Sequence, residues 1–114
     1  MSDALYGTTT VQLGARFYTL KPTLDAALRI EARFGGLRGA LEAMRLMSIA
    51  ACADIVIAGA ALKPEDHKTI ANEVFETGVS KVSVQLTNFI SVLLNPVPPS
   101  VVEQGKPGAG STAQ

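Results

Sequence analysis

Between Thr9 and Leu20 the chain alternates on a two-residue period: Thr9, Val11 and Leu13 are separated by Thr10 and Gln12. That is the signature of a strand with one covered face. Gly14-Ala15 sits where a two-residue type II′ turn requires glycine first, so residues 8–20 are expected to form a β-hairpin. Pairing across that turn sets Val11 opposite Tyr18 and Thr9 opposite Leu20, with Val11, Leu13, Tyr18 and Leu20 on one apolar face. Two strands alone are barely stable in water, so this face must pack on helices.

After Pro22 the period changes to that of helices. Thr23 is a plausible N-cap, and Asp25 in the first turn suits the helix dipole. A first helix is expected over Leu24–Phe34, with Leu24, Ala27, Leu28 and Phe34 inward and Arg29 and Arg33 on another side. Gly35-Gly36 ends it. A second helix, about Leu37–Leu46, places Leu37, Ala40, Leu41 and Met44 inward, with Arg38, Glu42 and Arg45 spaced for weak pairs. A third, about Ser48–Leu62, is apolar all round with Asp54 its one charge, so it is expected to be central. Lys63-Pro64-Glu65-Asp66 starts a fourth helix that runs to about Thr77, with Ile70, Ala71, Val74 and Phe75 inward and Gly78 at its end. The last, about Val79–Leu94, carries Val79, Val82, Leu86, Phe89, Ile90 and Leu93 on the 3.6 period. Val84, Val92 and Leu94 lie off that stripe. Its many β-branched residues leave a strand reading open.

The organisation expected is therefore α+β: an N-terminal hairpin packed on four to five helices over residues 1–94, then a tail. Residues 95–114 hold four prolines and three glycines and no helical period, so a disordered tail is expected there. With 114 residues, 47% hydrophobic and 18% charged, one domain with a real core is predicted. Met1–Tyr6 has no basic or apolar run, and the most apolar stretch, Met47–Leu62, is too short and too interrupted to cross a bilayer. A cytoplasmic, non-membrane protein is expected.

Chemistry is harder to find. Ten Lys and Arg balance ten Asp and Glu, which argues against binding nucleic acid or membrane through bulk charge. The single cysteine, Cys52, excludes an intramolecular disulfide and a cysteine-based zinc cluster. It lies in the most apolar helix, where a thiol behaves as a small hydrophobe. His67, the only histidine, is expected to be at or partly below the surface and not catalytic. The acids Glu65-Asp66 fit a helix start, and Glu73 and Glu76 fit a solvated face. Gly35-Gly36-Leu37-Arg38-Gly39 lacks the spacing of a phosphate loop and follows a helix, so it reads as a link between helices. All five arginines fall within the first 45 residues. Arg29, Arg33, Arg38 and Arg45 could make a basic patch, but Glu31 and Glu42 beside them favour a solvated face. No catalytic residue, cofactor or metal ligand is predicted.

One segment is familiar. "GARFYTLKPTLDAALRIEARFGGL", with the Tyr18–Thr23 strand-to-helix junction and the Glu31–Leu37 helix end, resembles the tail assembly chaperone type of phage and gene transfer agent tail proteins. The likeness is carried mainly by residues 11–45. It extends more loosely to Leu94 through "LKPEDHKTIANEVFETG" at Leu62–Gly78. It implies a non-enzymatic protein, from a phage, prophage or transfer agent, that holds the tape measure protein soluble while tail tube subunits assemble, and that commonly self-associates. The same family is also labelled as tail tube protein, so a structural tail component, tube or tail-completion subunit, is the alternative. Since the last helix has more apolar positions than one inward face requires, Leu86, Phe89, Ile90 and Leu93, with Val101 and Val102 of the tail, are the candidate partner-binding residues; the alternative is that the four helical residues simply complete the core.

Overall fold

The computed structural model describes residues 7–96. Two antiparallel strands, β1 (Thr9–Leu13) and β2 (Arg16–Leu20), pair in the predicted register, Thr9 with Leu20, Val11 with Tyr18 and Leu13 with Arg16. Gly14 at φ +64° makes the turn, a value that the first position of a type II′ turn demands. Val11, Leu13 and Leu20 are buried and Tyr18 is half-buried, so the expected hairpin face is the covered one.

Five α-helices follow: α1 (Leu24–Phe34), α2 (Leu37–Arg45), α3 (Ile49–Ala60), α4 (His67–Thr77) and α5 (Val79–Leu94), with a single 3₁₀ turn at Pro64–Asp66 leading into α4. Local chemistry explains the boundaries. The Thr23 hydroxyl accepts from the Ala26 N–H at 3.0 Å, and the Ser48 hydroxyl accepts from the Ala51 N–H at 3.1 Å. Gly35 and Gly36 both take positive φ, +74° and +134°, which lets α1 stop and α2 start across only two residues. The turn at Gly78, φ +112°, separates α4 from α5. The β-branched residues of α5 do not divert it to strand, because the apolar stripe at 3.6 spacing has a core to fill.

The helix α3 lies at the centre. Eight of its twelve residues are buried, and it packs on α1, α2, α4, α5 and strand β2. Small residues permit the close approaches: a Cβ at Gly59 would come within 3.0 Å of the Leu20 Cβ and the Phe89 Cε2. The Lys21 N–H donates to the Gly59 carbonyl at 3.1 Å and joins the hairpin exit to α3. Across the hairpin, the Gln12 N–H donates to the Gln85 side-chain oxygen of α5 at 3.1 Å. The Tyr18 hydroxyl donates to the Glu73 carboxylate of α4 at 2.8 Å.

Two faces differ from those expected. On α1 the buried residues are Ala26 and Ile30, with Ala27 and Phe34 packed beside them, whereas Leu24 and Leu28 stand 73% and 51% exposed. At about 100° per residue, Ala26, Ile30, Phe34 and Ala27 span one continuous arc, and Leu24 and Leu28 lie outside it. On α4, Ile70 and Val74 are buried but Phe75 is 67% exposed, since the arc through Ile70 and Val74 turns it outward.

Candidate functional site

The expected partner-binding residues of α5 are not on a surface. Leu86, Phe89, Ile90 and Leu93 are all buried, packed among α2, α3 and the hairpin. The reason is geometric: α5 is covered on more than one side, so apolar positions in excess of one face go into the core. Its off-stripe residues Val84 and Leu94 are the exposed ones. Val101 and Val102 lie outside the described residues.

Cys52 is fully buried in α3, with its Sγ 3.9 Å from the Met44 sulfur and 3.6 Å from the Ser83 Oγ. Burial pushes its thiol above the ordinary value, and the Ser83 hydroxyl opposes this only in part. A thiol held protonated is a poor nucleophile.

What the fold does bring together is Arg29 and Arg33 of α1, Asp54 of α3 and His67 at the start of α4. They edge a cleft of about 440 Å³ whose floor is Ile30, Phe34, Ile57, Ala58 and Pro64. The Arg33 Nε–H donates to Asp54 Oδ2 at 2.8 Å. On the other side His67 Nε2 lies 3.1 Å from Asp54 Oδ1 and 3.3 Å from the Ala50 carbonyl oxygen. Both neighbours of Nε2 are acceptors, so this nitrogen carries the proton and donates. One carboxylate thereby ties three helices. Asp54 is the only charge on α3 and its side chain is 17% exposed, which is tolerable because both of its oxygens are paired.

Arg33 spends only Nε on Asp54, and its side chain is 62% exposed. The two terminal nitrogens of the guanidinium, the edge that grips carboxylates in a fork, are not used in that contact. Among the described residues lining the cleft there is no hydroxyl or thiol for the Asp54–His67 pair to activate. The arrangement offers recognition of a group with an apolar part and a negative part.

The sequence contained each member of this set but not the set. Arg29 and Arg33 were visible as one turn of α1, Asp54 as the odd charge of an apolar helix, and His67 as a lone imidazole. Glu31, expected to balance the arginines, is not the partner of Arg33; Asp54, twenty-one residues away, is. Arg45 instead pairs locally with Glu42 on α2, with Nε 3.2 Å from Oε1. The useful signal was Asp54 itself, because an isolated charge in a buried helix needs partners from neighbouring helices.

Among the described residues no group of three or more His, Cys, Asp or Glu is placed to hold a metal ion, and no helix is long and apolar enough to cross a membrane. In comparisons with known proteins, no family model, no curated protein and no solved structure matches the chain.

Proposed function

We propose that this chain is a non-enzymatic tail assembly chaperone of the phage and gene transfer agent type, acting in the cytoplasm of a bacterial host. In this reading it binds the tape measure protein, keeps it soluble while tail tube subunits assemble, and self-associates. The support is the likeness of residues 11–45 to that family together with one structural observation. Among the described residues eight large apolar side chains are exposed, and Leu24 and Leu28 stand one turn apart on α1. Scattered exposed apolar residues are ordinary, but two leucines on adjacent turns, both more than half exposed, make a surface that a helical client can cover. In this reading the client surface lies on α1 and not on α5.

The alternative of a tail tube subunit draws no support from a sheet of two strands. Co-expression with a tape measure protein tests the proposal. The tape measure is expected in the soluble fraction with the chain and in inclusion bodies without it. Purified particles separate the alternative, since a tube subunit is present there in many copies and a chaperone is absent.

A further inference from the structure

We infer that the cleft between α1, α3 and the start of α4 docks an acidic, amphipathic polypeptide segment, with an aliphatic side chain on the floor and a neighbouring Asp or Glu carboxylate held by Arg29 and Arg33. The inference rests on the reading of the chain as a binder of polypeptide and adds what that polypeptide must carry.

Charge complementarity selects the negative group. Two guanidinium groups face one carboxylate, Asp54, both of whose oxygens are already engaged, by Arg33 and by His67. The cleft therefore keeps a positive excess. Asp54 holds Arg33 by Nε, which fixes the guanidinium plane while leaving its terminal edge for a second carboxylate. Asp54 and His67 are positioning residues here, since they act through Arg33 and through the alignment of α3 with α4.

The floor selects the rest of the segment. Ile30, Phe34, Ile57 and Pro64 give a free inorganic anion nothing to bury against, whereas a Leu or Ile beside an acid fills that space. A volume of about 440 Å³ suits a few side chains. Nucleic acid is the poorer fit, because the cleft offers one aromatic residue, Phe34, for base stacking.

The probes are three blocked twelve-residue peptides of Leu and Ala with Glu, Gln or Lys at the polar positions, titrated into the ¹⁵N-labelled full chain. The Glu peptide is expected to give saturable shifts centred on Ile30, Asp54 and His67. The Gln peptide should bind about fivefold more weakly, the worth of one exposed charge pair, and the Lys peptide weaker still. Arg33→Gln, or Arg29→Gln should the first variant misfold, should bring the Glu peptide down to the level of the Gln peptide. Equal binding of the Glu and Gln peptides, shifts centred elsewhere, or the same shifts from inorganic phosphate at the same concentration would each overturn the inference. Co-expression separates this from the chaperone reading. If Arg33→Gln keeps the tape measure soluble as well as the unaltered chain does, the cleft is not the docking site and the chaperone reading stands. If the unaltered chain fails to solubilise it while the Glu peptide binds in the cleft, the cleft stands and the chaperone reading falls.

Discussion

Replacing Phe89 by alanine decides whether the apolar stripe of α5 is core or client surface. Phe89 is fully buried, and its ring edge lies against Gly59 of α3, which has no side chain that could swing into the space left behind. A Phe→Ala change in a core costs about 3–5 kcal/mol, and a site that cannot collapse belongs at the upper end, about 4–5 kcal/mol. A small domain has about 5–15 kcal/mol in all, so the variant should be left marginal. At about 4–8 °C per kcal/mol the midpoint of thermal unfolding should fall by roughly 15 °C or more. Urea and thermal unfolding followed by circular dichroism measure this, with Leu24→Ser as the control. Leu24 is 73% exposed, so its replacement should stay within about 0.5 kcal/mol. A loss below about 1 kcal/mol for Phe89→Ala would refute the packing described for α5.

Four further changes probe other parts of the structure. Gly59→Ala should destabilise by about 1–3 kcal/mol through overpacking, because its Cβ would press on Leu20 and Phe89 at 3.0 Å; urea midpoints check it. Ala61→Gly should stabilise by about 0.5–1 kcal/mol, since Ala61 caps α3 in the left-handed conformation at φ +57°, where glycine has no Cβ penalty; the same unfolding assay applies. Asp54→Asn should cost about 1 kcal/mol, discounted for the exposure of Arg33, and in NMR spectra should free the Arg33 Nε–H to exchange faster with water. For Cys52 the native thiol is raised above its ordinary value of 9.0, so the folded state holds its proton longer than the unfolded state does. Its contribution is fully present below that ordinary value and is lost as pH rises through the raised one. Stability should therefore fall with rising pH from about pH 9, less steeply in Cys52→Ala, while Tyr18, raised chiefly by burial, adds to the fall in both proteins.

Much of the fold could be read from punctuation. Gly14 fixed the hairpin register, Thr23 marked a helix start, and Gly35-Gly36 and Gly78 marked ends, because each meets a local backbone demand that few residues satisfy. Which face of a helix turns inward is set by its neighbours, and the sequence pattern alone does not determine it. The apolar residues of α1 fit two arcs, and size favoured Leu24 and Leu28 when the surrounding helices take Ala26 and Ile30. Phe75 is turned outward for the same reason, and Leu86, Phe89, Ile90 and Leu93 are turned inward, since how many sides of α5 are covered depends on the placement of α2, α3 and the hairpin. The cleft was illegible because Arg33, Asp54 and His67 are separated by twenty-one and thirteen residues and meet only when α1, α3 and α4 pack. Periodicity within one helix carries no information about such a meeting.

Co-purification of the tape measure protein with the unaltered chain and with a Leu24→Ser/Leu28→Ser double variant is the most direct test that this fold serves to hold a polypeptide on α1. One co-eluting complex is expected with the unaltered chain, and an aggregated, unbound tape measure with the double variant, whose own unfolding curve stays unchanged. A tape measure that behaves identically with the chain, with the variant and with neither would contradict it.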